Sequence, residues 1–180
     1  MSVDHMSASP FVASWIAELA VRPERSRRAL DLAMGRGRHA LQLARHGFQT
    51  FGVDLAHDAV RDAMHTARRE GLSIHGWCAD LTTPALPIAA FDLVVVTRFL
   101  QRDLFGAIAA AVKPGGYVIY ETFTVAQRAF GIGPTSPDHL LRAGELRSAF
   151  DGCDVLFYEE VEVDAREAVA RLVAQRTFSS

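Results

Sequence analysis

The sequence predicts an α/β fold: a mostly parallel sheet of seven strands with helices on both faces and an antiparallel hairpin at its C-terminal end. Short apolar runs alternate with segments of helical periodicity through most of the chain, which is the pattern of strands joined by crossover helices. Residues 93–96, which follow Asp92, are apolar without alternation, as is typical of a central strand covered on both faces. Glycine and proline turns separate the elements.

The first half of the chain predicts two strand-and-helix units and a third strand. Pro10 suits the first turn of a helix, and Gly47 is a typical helix stop. In chain order we expect a helix over 10–20, a strand over 29–32, a helix over 38–46, a strand over 51–54, a helix that closes at Gly71, and a strand over 73–78.

The second half predicts four more strands and a long connection. The segment 122–142 has little periodicity and is longer than a plain connection in a compact domain. In chain order we expect a strand over 91–96, an Ala-rich helix over 103–112 that the turn 113–116 ends, a strand over 117–121, the segment 122–142, a helix over 145–150, and a closing hairpin of 155–161 with 168–175.

Composition limits the classes of function. The 180 residues are 49% apolar with a net charge of −2, which suits one domain and gives no sign of electrostatic nucleic-acid binding. The longest apolar runs are too short for a membrane span, and the first residues do not resemble a signal peptide. Two lone cysteines fit a cytosolic location. Lys113 stands against eighteen arginines, which suggests a GC-rich bacterial genome.

We expect a flexible N-terminus over 1–9 and a single domain over 10–180. A Gly- and Pro-punctuated segment that leaves the end of a central strand is a typical lid. We therefore expect the 10–20 helix and the 122–142 segment to cover a small substrate.

The turn after the first strand carries a ligand-binding pattern. Gly35-Arg-Gly37-Arg-His-Ala40 matches G-x-G-x-x-A, and Asp54 follows 19 residues after Gly35 at the end of the second strand. Such glycines let a ligand approach the backbone at a helix N-terminus, and a strand-end carboxylate accepts hydrogen bonds from ribose hydroxyls. An NAD-dependent oxidoreductase is one interpretation.

The charges near this turn favour a different cofactor. Asp31, Asp54 and Asp80 all lie at strand ends, where a diphosphate would be repelled. S-adenosylmethionine instead carries an ammonium and a sulfonium. We expect Asp31 to receive the ammonium, Asp54 the ribose and Asp80 the adenine amino group.

These residues together resemble the successive motifs of class I S-adenosylmethionine-dependent methyltransferases, over residues 9–176. The matching segments are 31–37, 52–54, 79–80, 91–96 and 113–116. Within that class the chain looks most similar to the tellurite-resistance (TehB-like) group and its bacterial relatives. The resemblance implies a Rossmann-like seven-stranded sheet and a cofactor site formed by Asp31, Ala33, Gly35, Gly37, Asp54, Leu55, Ala79, Asp80 and Thr97.

One position departs from the class pattern. Ala33 stands where the class usually has a glycine, and we expect the backbone there to be extended with φ below zero, which an alanine tolerates.

The methyl acceptor is less well defined. The Asn/Asp-Pro-Pro-aromatic signature of enzymes that methylate nucleobase amines is replaced by residues 97–100, so we expect a small soft or anionic acceptor. The candidate catalytic residues are Arg98, to attract an anion, and Glu121 and His139, as bases for an amine. No histidine or cysteine pattern predicts a metal site. We expect Cys78 to be buried in its strand, and His75 to lie in a central strand. A non-catalytic cofactor-binding module is a further alternative.

Overall fold

The computed structural model describes residues 7–21, 27–82 and 86–178. It forms two compact units, Met1–Asp80 and Leu81–Ser180, which are treated in turn. The single domain expected over 10–180 stays a prediction. The flexible N-terminus expected over 1–9 lies, for residues 1–6, outside the described residues.

The first unit contains three helices and a parallel three-stranded sheet in the order β3-β2-β1. All six elements lie within a few residues of the predicted positions. They are α1 (Pro10–Ala20), β1 (Arg28–Leu32), α2 (Arg38–Arg45), β2 (Gln49–Asp54), α3 (His57–Arg69) and β3 (Ile74–Cys78).

One apolar cluster joins α2 and α3 to β3. It consists of Met34, Ala40, Leu41, Val60, Ala63, Ala67 and Ile74. Two glycines allow this packing, because a Cβ on Gly37 would lie 2.7 Å from the Cβ of Ala63 and one on Gly52 only 2.0 Å from the Sδ of Met34. The glycine loop can thus lie close to α3 and β2, because Gly37 and Gly52 have no side chain. A larger residue at either position would push these elements apart.

Helix α1 is anchored rather than loosely attached. Val12, Ile16 and Leu19 are buried, and the Ser9 N–H donates to the Nε2 of His39 on α2 at 3.1 Å. Arg27 donates to the last carbonyls of the helix, those of Leu19 and Ala20. Arginines at a helix C-terminus satisfy carbonyls that have no intrahelical partner.

The second unit contains a four-stranded sheet in the order β4-β5-β7-β6. Strands β4 and β5 are parallel, whereas β5 with β7 and β6 with β7 are antiparallel. The elements are β4 (Phe91–Thr97), α4 (Phe105–Ala111), β5 (Val112–Phe123), α5 (Glu145–Ala149), β6 (Asp154–Val163) and β7 (Glu167–Gln175). Seven strands, mostly parallel, with a C-terminal antiparallel hairpin confirm the predicted fold.

The expected turn at 113–116 is wrong in one respect, since these residues lie within β5. Pairing shifts from Phe91 with Val112 to Leu93 with Tyr117, and Gly115 has a φ of +79°. The segment is therefore an irregularity inside the strand, where three extra residues of β5 are accommodated with Gly115 in a left-handed conformation. The Nζ of Lys113 donates to the carboxylate of Asp92 at 2.8 Å, which links this part of β5 to β4.

Two expectations for β3 are also wrong. His75 and Cys78 are exposed, because β3 is the end strand of the three and has a neighbour on one side only. The ring of His75 stacks on that of Phe51, with 5.0 Å between the centroids. The guanidinium of Arg28 lies 4.6 Å from the centroid of the Phe51 ring.

Within the described residues, no helix combines the length and the apolar character that crossing a membrane requires.

Candidate functional site

The glycine loop between β1 and α2 turns through left-handed residues. Ala33, Gly35 and Gly37 have φ values of +58°, +54° and +80°. The Met34 N–H donates to the carbonyl of Val53 at 3.0 Å, so the loop is bonded to β2. Among the described residues, apart from Gly35 and its two chain neighbours, none has an atom within 4 Å of a Cβ built on Gly35. The loop therefore offers a position where a ligand can approach the backbone.

The expectation for Ala33 is wrong, because its φ is positive. A left-handed conformation costs an alanine about 1–2 kcal/mol more than a right-handed one, since its Cβ approaches the following carbonyl. The loop holds the residue in this conformation directly after Leu32, the last residue of β1. Sequence pattern alone did not reveal this strain, because the conformation depends on the hydrogen bonds that close the loop.

Asp31 is a fully buried carboxyl group in β1. Its Oδ2 accepts the N–H of Ala40, in the first turn of α2, at 2.8 Å. Its Oδ1 is buried and has no hydrogen-bond partner among the described residues. Burial raises the pKa of Asp31 from an ordinary 3.8 to about 7, against the lowering effects of the Ala40 N–H and of Arg38.

Asp54 ends β2 and supports both sides of the loop. Its Oδ2 accepts the Gly35 N–H at 2.8 Å, and its Oδ1 accepts the Ala56 N–H at 2.9 Å. Each carboxylate oxygen has a further lone pair, so the half-buried group can accept two more hydrogen bonds from a ligand. Leu55, next in the chain, is 70% exposed. An apolar side chain that the fold leaves uncovered can lie against a planar ring.

The remaining predicted cofactor residues fall in both units. The Ala79 N–H donates to the carbonyl of Asp54 at 3.2 Å, which places the end of β3 beside the end of β2. Asp80 is exposed. The first unit therefore gathers Asp31, the glycine loop, Asp54 and Ala79 at one edge. Thr97 is the buried last residue of β4, in the second unit.

Arg98 and Glu121 lie at the ends of the paired strands β4 and β5. The Arg98 N–H donates to the carbonyl of Glu121 at 2.8 Å, and Arg98 has a φ of +51°. Its guanidinium forms an ion pair with Glu167 and lies 5.7 Å from the ring centre of Phe123. The Glu121 carboxylate is bound by Arg171 at 2.7 Å. Arg171 also binds Glu159, at 3.0 Å, so it holds two carboxylates of the sheet.

His139 is exposed in a short 3₁₀ segment, Pro137–His139, whose position depends on a residue that sequence reasoning missed. Arg102 donates to both carboxylate oxygens of Glu145, at 2.5 and 3.0 Å, and to the Leu140 carbonyl at 2.9 Å. The Arg102–Glu145 pair lowers the pKa of Glu145 through this hydrogen bond. No spacing in the sequence marks a partner 43 residues away.

Gln127 is a second missed residue. Its buried side chain donates to the carbonyls of Ile132 and Arg166, both at 2.9 Å, and accepts the N–H of Ala168 at 2.7 Å. It therefore joins the 122–142 segment to the turn between β6 and β7. A lone glutamine in an aperiodic segment gives no signal of this role.

No group of three or more possible metal ligands occurs in the parts of the chain that the structure describes.

The first unit fits S-adenosylmethionine on the chemistry of its polar atoms. A buried carboxylate oxygen without a partner is costly unless a donor reaches it, and an ammonium supplies that donor. Asp54 offers free lone pairs for hydroxyls, and the space at Gly35 is open.

Comparison with known proteins agrees with this site. Residues 29–116 match the family described as a methyltransferase domain. The ubiquinone biosynthesis O-methyltransferase of Idiomarina loihiensis is 29% identical over 121 residues, which are 64% of this chain and 50% of that protein. The chain spans about half the length of the curated relatives it matches.

Two solved structures share the fold. TehB from Haemophilus influenzae superimposes with a TM-score of 0.75 at 19% identity, over 94% of this chain and 63% of that one. An S-adenosylmethionine-dependent methyltransferase from Mesorhizobium loti gives a TM-score of 0.69 at 21% identity, over 91% and 98%.

A parallel unit that carries a glycine loop, followed by a unit that ends in an antiparallel hairpin, defines the methyltransferase fold. The matched domain and this fold are those of the class I S-adenosylmethionine-dependent methyltransferases, and S-adenosylmethionine is the cofactor that they imply. The resemblance identified from the sequence motifs is confirmed.

Proposed function

We propose that this protein transfers the methyl group of S-adenosylmethionine to a small acceptor. The unpaired, fully buried oxygen of Asp31 beside an open glycine loop is the observation that carries the proposal. An ammonium would donate to that oxygen and balance its charge, whereas a diphosphate would be repelled by it. The cofactor supplies an electrophilic methyl on a sulfonium, and the chain supplies its position.

Each predicted cofactor residue has a role in this proposal. Asp31 receives the ammonium, and Gly35 leaves room for the amino-acid end of the ligand. Asp54 accepts the ribose hydroxyls with the lone pairs that its two backbone bonds leave free. Leu55 covers the adenine ring, and Asp80 accepts its amino group. Ala33, Gly37 and Ala79 shape the loop and the strand ends around them, and Thr97, at the end of β4 in the second unit, stays a predicted cofactor residue.

Methyl transfer needs a nucleophile, the methyl carbon and the sulfur in line, and the leaving group takes no proton. Positioning of this kind supplies roughly 7–11 kcal/mol of the barrier reduction. We therefore propose that the protein acts mainly by orienting its reactants.

For the acceptor we propose a small soft or anionic nucleophile, such as a thiol or a chalcogen oxyanion. The pairing of Glu121 with Arg171 supports this choice, because the carboxylate is already engaged by a guanidinium. An amine arrives protonated at neutral pH and needs a base with a pKa near 7, whereas a soft anion is already a nucleophile. Arg98 would leave its ion pair with Glu167 and bind the anion instead.

A small phenol is the second candidate. The curated relatives carry the name ubiquinone biosynthesis O-methyltransferase, and an oxygen acceptor would be in line with that name. A phenol has a pKa near 10, so its methylation requires a base or a cation that stabilises the phenolate. Within the described part of the second unit, His139 and Arg98 are our candidates for these roles.

The first test is a thermal shift with S-adenosylmethionine, S-adenosylhomocysteine and NAD. We expect both adenosyl ligands to raise the melting temperature and NAD to leave it unchanged. A shift with NAD alone would favour the oxidoreductase. Binding of the adenosyl ligands without any turnover across a broad acceptor panel would favour the non-catalytic module.

The second test measures donor consumption with thiols, selenite, tellurite, phenols and amines. We expect thiols or chalcogen oxyanions to react fastest, Arg98→Ala to raise the acceptor KM at least tenfold, and Glu121→Gln to retain activity. The matched control is Glu167→Gln, which breaks the same ion pair but keeps the arginine. Fast amine turnover that Glu121→Gln abolishes and Arg98→Ala spares would refute the proposed acceptor class.

We also propose that the protein works in the bacterial cytosol without nucleic-acid partners, in line with its net charge of −2.

A further inference from the structure

We propose that the free edge of β3 binds an extended acidic peptide, which forms an additional strand beside β3 and lies against the arginines of α3. The residues involved lie along α3 and β3 of the first unit, so the proposal does not depend on the cofactor assigned to the glycine loop. A groove, an open strand edge and a row of cations carry it.

The groove lies between α3 and β3 and has a volume of about 340 Å³. Its cationic lining comes from one face of α3, where His57, Arg61 and Arg68 follow helical spacing, and its other side is formed by residues 76–78 of β3. His57 and Arg68 are eleven positions apart, which is about 16 Å along a helix. A strand of five residues is roughly 17 Å long. The groove therefore suits a short extended segment.

The edge of β3 at this groove has backbone groups available for pairing. In the described sheet β3 is an end strand, with β2 as its neighbour. The Ala79 N–H donates to the carbonyl of Asp54 in β2, and successive N–H groups of a strand point to opposite sides, so those of Gly76 and Cys78 point away from β2. Such an edge is a template for another main chain, which neither a nucleic acid nor a lipid supplies.

The charges on the groove determine which peptide fits. None of its described lining residues is acidic. Arg68 is exposed and has no ion pair among the described residues. Arg61 pairs with Asp58 and Asp62 on the exposed surface of α3, where pairs of this kind contribute little to stability. A peptide carboxylate can therefore bind Arg68 directly and replace the partners of Arg61 at small cost.

A second copy of this chain is a poorer occupant than a separate peptide. The acidic end strand of the second unit is β6, and its carboxylates are already engaged. Glu159 binds Arg171 at 3.0 Å, and Glu160 accepts the Gly144 N–H at 2.7 Å. We therefore assign the edge of β3 to an acidic segment of another protein.

Three synthetic peptides test the proposal on the full chain by fluorescence anisotropy. The first is a labelled hexapeptide of alternating valine and glutamate, the second replaces glutamate with lysine, and the third keeps the glutamates but carries N-methyl groups on alternate amides. We expect saturable binding of the first and none of the second. The third should bind roughly tenfold more weakly, because methylated amides cannot donate to β3. Hydrogen exchange should become slower at Gly76 and Cys78 when the first peptide binds.

Two neighbouring arginines provide a matched pair of variants. Arg68→Glu reverses a charge that lines the groove, so we expect roughly fivefold or weaker binding of the glutamate peptide. Arg69→Glu makes the same change at the next, exposed position, which does not line the groove, and should have a much smaller effect. Neither variant should alter the thermal shift with S-adenosylhomocysteine, since both positions lie far along α3 from the glycine loop.

Four results would overturn the proposal. The first is no saturable binding of the glutamate peptide, and the second is equal binding of its N-methylated form, which would indicate attraction of charge without an added strand. The third is an equal loss in Arg68→Glu and Arg69→Glu. The fourth is self-association of the protein in sedimentation that Arg68→Glu abolishes, which would assign the edge to a second copy. Each of these leaves the proposed methyl transfer untouched, and a failure of the adenosyl ligands to bind leaves this proposal untouched.

Discussion

The two compact units differ in how they treat buried carboxyl groups. In the second unit Glu121 is bound by Arg171, and Glu145 by Arg102. In the first unit Asp31 is buried more completely, yet one of its oxygens has no partner among the described residues. Pairing offsets the cost of removing a charge from water, so an unpaired group in a folded protein calls for another explanation. We attribute it to a ligand.

Each unit has a non-glycine residue of positive φ directly after one of its parallel strands. Ala33 directly follows β1 and Arg98 directly follows β4, and both have positive φ values. Strained residues cluster at binding and catalytic sites, because the surrounding bonds hold them there. In the first unit the strain shapes a loop of backbone groups, whereas in the second it presents a charged side chain.

The largest expected effect tests the unpaired carboxyl group directly. Asp31 has a pKa of about 7 in the folded protein and an ordinary 3.8 when unfolded. The folded state thus holds the proton more tightly, and this contribution to stability is present below pH 4 and is lost as the pH rises through 7. Asparagine cannot ionise.

We therefore expect Asp31→Asn, without ligand, to gain stability relative to the unaltered protein by about 4 kcal/mol between pH 4 and pH 8. Urea denaturation across this range measures the difference. Asp58→Asn, at an exposed position, is the control and should show little pH-dependent change. A stability difference that is the same at every pH would remove the contrast between the units.

The next effect concerns Asp54, the carboxylate that supports the glycine loop of the first unit. Asp54→Ala removes an acceptor from the loop and from the proposed ribose hydroxyls, which costs about 1.5–3 kcal/mol. We expect roughly ten- to a hundredfold weaker binding of S-adenosylmethionine by calorimetry. Asp62→Ala, an exposed α3 carboxylate paired with Arg36, should change it less than twofold. Unchanged affinity in Asp54→Ala would contradict the ribose assignment.

A third prediction concerns the anchor of the second unit. Gln127→Ala leaves two carbonyls and the Ala168 N–H without their partner, so we expect a loss of about 1–3 kcal/mol in the free energy of unfolding. Hydrogen exchange of the unliganded protein should show slow amides at Thr124 and Leu141, which are bonded to neighbouring backbone. These amides should become faster in the variant.

The same experiment sharpens the lid prediction. If the 122–142 segment closes over a substrate, the added protection should fall in the exposed stretch around 131–139, because the ends are already bonded. Arg128→Ala, an exposed change in the same segment, serves as the control for Gln127→Ala. Fast exchange at Thr124 and Leu141 in the unliganded protein would show that the anchors do not hold.

The smallest effect tests the strain after β1. Ala33→Gly removes the clash of a left-handed alanine, so we expect a gain in stability of up to about 1 kcal/mol by urea denaturation. The matched change Ala59→Gly, in the first turn of α3, should instead lower the stability. Loss of stability in Ala33→Gly would mean that the methyl group contributes packing that outweighs the strain.

Much of the first unit could be predicted from the sequence, because its signals are local. The G-x-G-x-x-A turn, each strand-end aspartate with its strand, and the apolar periodicity of α3 can each be recognised within about 20 residues of sequence. The predictions failed where a property depends on distant contacts. The positive φ of Ala33 depends on a loop bonded to β2, and the exposure of His75 and Cys78 depends on the position of β3 at the end of the sheet.

The sequence by itself determined the alternation of strands and helices, the glycine loop and the cofactor class that its acidic strand ends favour. These depend on periodicity and on residue type, which a chain carries without being folded. Only the tertiary structure decided which charges are paired. Arg171 reaches Glu121 across 50 residues, Arg102 reaches Glu145 across 43, and Asp31 is left with one free oxygen. Ion pairing and burial are set by how elements meet in space, and sequence separation gives no measure of that.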